Sequence, residues 1–237
     1  LVLDVAVRGM LNVQDACREN RIRELVLASS SEVYQTPPVV PTDESAPLVV
    51  PDVLNPRFSY GGGKILWELM GLHSSQHIDR VIIFRPHNVY GPRMGWEHVI
   101  PQFVLRAVDQ ARAHPSGPVP FSIQGDGTQT RSFIYIDDFV DGVTTLLEKG
   151  ENRNIYHIGN SEELTIADVA RQVMSGLGRE ANLVPGPLPA GSTQRRLPDI
   201  SKIGRLGFVP KTPFSKGLPL AADWYARNEA SRPKKDN

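Results

Sequence analysis

Two short apolar runs constrain this chain more than any other feature. Glu24-Leu-Val-Leu-Ala-Ser29 and Val81-Ile-Ile-Phe-Arg85 are nearly continuous in apolar residues and too short for core helices. Neither shows the alternation of a half-exposed strand. Such runs suit strands covered on both faces, the pattern of a parallel sheet. Around them, Val5, Val7, Met10, Leu11, Val13 and Cys17 recur near helical spacing and predict a helix over 3–20. Helices are also expected over 57–77, 98–112, 138–149 and 165–177, with shorter ones over 199–206 and 214–228. Thr165 as N-cap with Asp168 at the third helical position forms a variant capping box. Phe121–Gln124, closed by the Gly125-Asp-Gly127 turn, Ser132–Ile136 and Asn154–Ile158 read as further strands. The span from Pro37 to Pro56 holds six prolines and reads as a loop, as does the Pro/Gly-rich stretch 185–198. The tail, 232–237, is expected to fray. Strands alternating with helices make the fold class α/β with a mainly parallel sheet.

Composition narrows the partners. In 237 residues, Lys plus Arg and Asp plus Glu both number 26, so no basic excess points to nucleic acid. Cys17 is the single cysteine, which excludes an intrachain disulfide and a thiolate cluster, and it is expected on the buried face of the first helix. No apolar run approaches the roughly 18 residues of a membrane span. There is no Asn-x-Ser/Thr sequon and no signal-peptide order at the N-terminus, so the cytoplasm is the expected compartment, with no membrane partner. The six histidines form no ligand set, and no metal site is expected.

In an open parallel sheet, ligands gather at the carboxyl ends of the strands. Ser29 and Ser30 end the first run, and Arg85-Pro-His-Asn88 ends the second. Tyr60-Gly-Gly-Gly-Lys64 places a phenol and an ammonium on one helical face. A lysine so placed stabilises tyrosinate and lowers a phenol pKa that starts near 10. The pair can then take a proton from a sugar hydroxyl while a cofactor takes the hydride. The three glycines cost helix propensity, about 0.8–1.0 kcal/mol each, and admit another group close to the backbone. On residues alone, other readings stand beside these. The serines suit caps of loop backbone, Glu32 suits a solvated carboxylate, and Tyr60 suits a ring packed under a solvated Lys64.

Ser29-Ser-Ser-Glu-Val-Tyr34, Tyr60-Gly-Gly-Gly-Lys64 and Arg85-Pro-His-Asn-Val-Tyr-Gly-Pro92, in this order and spacing, resemble an extended short-chain dehydrogenase/reductase of the NAD-dependent nucleotide-sugar epimerase/dehydratase family. Gly125-Asp-Gly-Thr-Gln-Thr-Arg-Ser-Phe-Ile-Tyr-Ile-Asp-Asp138 resembles its substrate-lobe signature, and Gln194-Arg-Arg-Leu-Pro-Asp-Ile200 its late arginine motif. The resemblance implies an incomplete NAD-binding Rossmann sheet, doubly wound and parallel, over 1–92, to which some later strands return. It implies a smaller nucleotide-sugar-binding lobe mainly over 93–237. NAD is the implied cofactor, a nucleotide-diphosphate sugar the implied substrate, and a homodimer built on helix 57–77, with 98–112 as a further candidate, the implied assembly. Carried over by position, Tyr60 is the catalytic base and Lys64 orients the nicotinamide ribose. Ser30 bonds the reacting hydroxyl, Glu32 joins the catalytic set, and Ser29 and Pro86 border the cofactor. Asn88 would contact the diphosphate, Val99 and Ile100 would cover the nucleotide base, and Arg131 and Arg196 would pair with phosphate oxygens.

Three departures from the family pattern bear on function. The glycine-rich Gly-x-x-Gly-x-x-Gly turn that brings backbone to a pyrophosphate is not found in the 237 residues. It is expected ahead of Leu1, so the chain reads as an N-terminally truncated member. Ala6 stands where relatives carry Asn, and Ser31 where dTDP-glucose dehydratases place an acid, which argues against water elimination. Pro56-Arg57-Phe-Ser-Tyr60 echoes decarboxylases. The expected activity is epimerisation at sugar carbon 4 through a keto intermediate. A UDP-glucuronate-type decarboxylase or a dehydratase is the alternative, and a non-catalytic fragment lacking the NAD turn is the alternative of another class.

Overall fold

The computed structural model describes residues 1–233; the end of the tail, 234–237, lies outside the described residues. The chain divides into two compact units. The first comprises Leu1–His87, Phe139–Ser161 and Arg196–Val209. Its sheet holds three parallel strands in the order Glu24–Ala28, Arg80–Pro86, Asn154–Ile158, with Ala28 beside Phe84 and Pro86 beside Ile158. The middle strand has a neighbour on each side, and its Val81, Ile82 and Ile83 are fully buried. Glu24–Ala28 departs from the expectation of cover on both faces. It lies at the sheet edge, with Leu25 and Val26 half-buried and Ala28 exposed.

Val2–Asp4, a π-helical turn Val5–Gly9 and Met10–Glu19 follow one another as a single helical run. Its buried stripe is Ala6, Met10, Gln14 and Cys17, whereas Val5, Val7, Leu11 and Val13 of the periodic set are exposed. A polar residue takes part in that stripe because it is satisfied there: Gln14 Nε2 donates to the Met70 carbonyl (2.9 Å) and to Ser75 Oγ (3.1 Å). Helix Ser59–His73 is shorter than the expected 57–77 and is entered through a 3-10 turn, Pro56–Phe58, capped by the Asn55 side chain accepting from Arg57 N. Two of its glycines make room for neighbours. A Cβ on Gly61 would stand 2.8 Å from the Glu32 carbonyl oxygen, and one on Gly63 would stand 2.9 Å from the Ala6 Cβ. Gly62 by contrast faces Val50 at an ordinary 3.4 Å.

One buried polar network joins these pieces. Arg85 Nε and Nη2 donate to the two Glu68 carboxylate oxygens at 2.8 and 2.6 Å, with both side chains almost wholly buried. Ser29 Oγ donates to the same carboxylate (2.5 Å), and Arg85 Nη1 donates to the Tyr34 hydroxyl and the Glu44 carbonyl. Burial pushes the Tyr34 phenol up to about 12 despite the adjacent Arg85, so it stays a donor. It lies 2.6 Å from His157 Nε2, while His157 Nδ1 lies 3.1 Å from the Asp199 carbonyl. A neutral imidazole protonated at Nδ1 satisfies both contacts. Beside it stands His87, 1% exposed, its ring 4.7 Å from that of His157 and both its nitrogens without a hydrogen-bond partner.

The second unit comprises Asn88–Asp138, Glu162–Arg195 and the chain from Pro210. Its core joins Ile100, Phe103, Val104 and Ala107 of helix Val99–Ala113 to Val169, Ala170, Val173 and Met174 of helix Ile166–Gly176, and to Phe214, Leu218 and Ala221 of helix Phe214–Arg227. The expected Thr165 cap forms, its Oγ1 accepting from Asp168 N at 3.0 Å and donating to that carboxylate at 2.6 Å. Val119–Gln124 pairs in parallel with Ala181–Gly186, part of which was expected to be loop. The single strand expected over 132–136 is instead two, Thr130–Ser132 antiparallel to Glu163–Thr165 and Ile134–Tyr135 parallel to Val89–Tyr90. Phe133, buried between them, breaks the ladder. No helix among the described residues is long and apolar enough to cross a membrane.

Two outcomes follow for stability. Gly62→Ala should gain up to about 1 kcal/mol from helix propensity, while Gly61→Ala and Gly63→Ala should lose stability because backbone and a neighbouring helix must give way. Urea unfolding of the three variants checks this, and equal effects would refute the close approaches. The histidines set a pH dependence. Burial lowers His157 to about 4 and holds His87 well below its ordinary value, with the charges of His157, Arg196 and Arg85 adding to the effect on His87. In the unfolded chain both rings take protons near 6.5. Their folded pKa values are thus depressed, so this stability is full above about pH 6.5 and is lost as pH falls toward about 4. Unfolding free energies from urea titrations should fall over that window, by up to about 1.4 kcal/mol per pH unit per histidine. His87→Leu should remove one contribution without losing a hydrogen bond, and an unchanged slope in that variant would refute the assignment.

Candidate active site

Tyr60 stands in the first turn of helix Ser59–His73 and is 45% exposed. One turn further, Lys64 Nζ donates to the Ala28 carbonyl at 2.8 Å, at the end of the first strand and next to Ser29. The ammonium lies 5.9 Å from the Tyr60 ring centre and 3.8 Å from the Trp67 ring centre. Burial lowers the Lys64 pKa, which makes an adjacent negative charge, such as a phenolate, a favourable partner. Ser30 is buried and caps the 3-10 turn Ser31–Val33, its Oγ accepting from Glu32 N at 3.1 Å. The approach of Gly61 to the Glu32 carbonyl sets this turn against the start of the Tyr60 helix. Ala28, Ser30, Glu32, Tyr60 and Lys64 are therefore gathered within the first unit by two backbone contacts, one at each end of the Tyr60–Lys64 turn.

Several expected site residues have partners of their own. Ser29 is 3% exposed, its hydroxyl is held by Glu68, and its backbone N–H donates to the Phe84 carbonyl at 2.8 Å. Pro86 pairs with Ile158 at the end of its strand. Arg196 Nη1 is ion-paired with the Glu32 carboxylate, the arginine side chain 9% exposed and the glutamate 34%.

In the second unit, Asn88 adopts φ 41°, its amide donates to the Ser132 carbonyl at 2.8 Å, and its own carbonyl accepts from Ile134 N. Arg131 Nη1 donates to the Thr130 carbonyl at 2.7 Å. Val99 is exposed, but the Ile100 side chain is 1% exposed inside the core. Sequence reasoning passed over Arg195, which grips Glu163 at 2.7 and 2.8 Å. That arginine, with Thr130, holds the Glu163 carboxyl down at about 2.

Glu68, Tyr34 and His157 were also missed. A signal for Glu68 was present: it lies four residues beyond Lys64 within the apolar run Ile65–Met70, and a buried carboxylate there demands a cation. Arg85, at the end of Val81–Phe84, was the matching demand. No group of three or more His, Cys, Asp or Glu among the described residues could hold a metal ion.

The family model for the NAD dependent epimerase/dehydratase family matches residues 1–159. A trifunctional UDP-glucose 4,6-dehydratase/UDP-4-keto-6-deoxy-D-glucose 3,5-epimerase/UDP-4-keto-L-rhamnose-reductase of Arabidopsis thaliana is 31% identical over 220 residues, covering 90% of this chain and 31% of that protein. UDP-glucuronic acid decarboxylase 2 of Arabidopsis thaliana is 34% identical over 219 residues, covering 90% of this chain and 46% of that protein. The chain thus spans less than half the length of either. Among solved structures, a dTDP-glucose 4,6-dehydratase from Streptomyces venezuelae with NAD and TYD bound superposes with a TM-score of 0.81 at 28% identity, covering 97% of this chain and 68% of that one. The family model covers more than half of the chain, and the parallel α/β architecture agrees with that solved structure: the chain belongs to the NAD dependent epimerase/dehydratase family.

Proposed function

We propose that this chain supplies the acid–base and sugar-facing part of an NAD-dependent nucleotide-sugar epimerase acting at carbon 4. One observation carries the reading: the Lys64 ammonium is anchored on the Ala28 carbonyl, beside Ser29 and Ser30 and one turn from the exposed Tyr60. The residues fit the nicotinamide-ribose end of NAD, because an ammonium has three donors and the Ala28 carbonyl uses one. The pyrophosphate end needs close backbone approach of a kind that no Gly-x-x-Gly-x-x-Gly in these 237 residues supplies. Bound NAD would accept the hydride and return it.

The remaining work falls to side chains of this chain. Tyr60 Oη takes the proton of the sugar hydroxyl as the carbon loses hydride, which leaves a keto-sugar. Lys64 steadies the phenolate before the proton arrives, and the Ser30 hydroxyl bonds the reacting oxygen. After the keto-sugar turns its other face, Tyr60 returns the proton and the centre is inverted. Arg131, Arg196 and Asn88 are assigned to the diphosphate, and Val99 with the Ile100 backbone to the base. A homodimer through helix Ser59–His73, whose Leu69 is 52% exposed, belongs to the same proposal.

Glu32 favours a second reading. Held by Arg196 beside the Tyr60 helix, it suits oxidation at the same carbon followed by loss of carbon dioxide from a uronic acid, and Pro56-Arg57-Phe-Ser-Tyr60 fits that reading too.

Incubation with NAD and either UDP-glucose or UDP-glucuronate, with a family glycine-rich segment fused ahead of Leu1, distinguishes the two. An epimer supports the first and a pentose product the second; neither product refutes both. In the active protein, Tyr60→Phe should lower kcat by about a hundred- to ten-thousand-fold, and unchanged turnover would remove Tyr60 from the mechanism. For the 237-residue chain alone, calorimetry should detect negligible NAD binding. Micromolar affinity would show that the glycine-rich turn is dispensable.

A further inference from the structure

Lys64 has a neighbour that the acid–base reading does not use. The Trp67 ring centre lies 3.8 Å from the Lys64 Nζ, closer than the Tyr60 ring at 5.9 Å. An ammonium over an indole face is attracted by the ring quadrupole, and indole is the strongest of the aromatic partners. The ring is fixed at two places. Its Nε1–H donates to the Ala6 carbonyl at 2.6 Å, within the π-helical turn Val5–Gly9. Its apolar body packs against the cluster of Met10, Leu27 and Ile83. Ala6 is itself set against the Tyr60 helix, since nothing larger than hydrogen fits at Gly63 opposite its Cβ.

We propose that Trp67 is a positioning residue for Lys64: its indole, locked by the Ala6 carbonyl, closes one side of the ammonium and directs the remaining donors toward Tyr60 and the Ala28 carbonyl. A lysine on a four-carbon stem has several rotamers, and losing them costs up to about 2 kcal/mol. A ring on one side and a carbonyl on the other restrict that freedom before any ligand arrives. The same ring keeps water from one face of the ammonium, in accord with the burial that lowers the Lys64 pKa. The π turn thereby gains a role, presenting a backbone carbonyl to a side chain of the neighbouring helix. The inference rests on the reading of Lys64 as part of the active site, but its test uses neither cofactor nor sugar.

Trace acylation of lysines across a pH series, read by mass spectrometry, gives the titration midpoint of each amine. Lys202 serves as the internal control, being half-buried elsewhere in the same unit with its Nζ 4.9 Å from the Tyr156 ring centre. In Trp67→Leu, loss of the ring's attraction for the ammonium acts to lower the Lys64 midpoint, and entry of water acts to raise it. Since burial is what holds Lys64 down, the midpoint should rise toward that of an ordinary amine, with Lys202 unchanged. Trp67→Phe keeps a ring without the N–H and should restore part of the shift. An unchanged Lys64 midpoint in Trp67→Leu would overturn the proposal. So would equal movement of Lys64 and Lys202, which would mark general loosening. If the midpoint moves as expected but Tyr60→Phe leaves turnover intact, the positioning stands and the catalytic reading falls.

Discussion

The buried Arg85–Glu68 ion pair is the interaction on which the first unit depends. Two charges removed from water incur a desolvation cost of several kcal/mol each, which their attraction offsets only when the remaining donors and acceptors are also satisfied. Here they are. Glu68 accepts from both Arg85 nitrogens and from Ser29, and Arg85 has the Tyr34 hydroxyl and the Glu44 carbonyl besides. The pair thus ties the middle strand, the Tyr60 helix, the tip of the first strand and the proline-rich loop to one point. Through Tyr34 it reaches His157 on the third strand.

That arrangement explains why the candidate site is built on backbone as much as on side chains. The end of Glu24–Ala28 is held in place by Ser29 below, so the Ala28 carbonyl is a fixed acceptor for Lys64. The turn at Ser30–Glu32 is held by its own serine cap and by the glycine opposite it. Tyr60 is left 45% exposed, while Ser29 and Ser30 are buried. The proposed role of Tyr60 needs such a division, since a fully buried hydroxyl could not meet a substrate and a loosely held one would not stay aligned.

Arginines serve two different tasks in the chain. Arg85 is wholly internal and belongs to the scaffold. Arg195 and Arg196, adjacent in sequence, each hold a carboxylate, Glu163 and Glu32 respectively, with those carboxylates partly exposed.

Local pattern made much of this legible. The unbroken run Val81–Phe84 identified the central strand, Thr165 and Asp168 identified the start of their helix, and the spacing of Tyr60 and Lys64 placed both on one face. Short elements escaped, because Val89–Tyr90 and Glu163–Thr165 contain too few residues to show a period, and Pro185 and Gly186 disguised the end of another strand. By itself, then, the amino-acid sequence determined the α/β class and the Tyr60–Lys64 face, which rest on patterns within a few residues, and the family, which rests on the order and spacing of several such local motifs. Only the tertiary structure decided that Ser29 turns inward to Glu68, that Glu32 meets Arg196 across 164 positions, and that Trp67 rather than solvent lies over Lys64. Those pairings arise because buried charges and donors must find partners wherever the fold brings them, and sequence distance places no limit on that search.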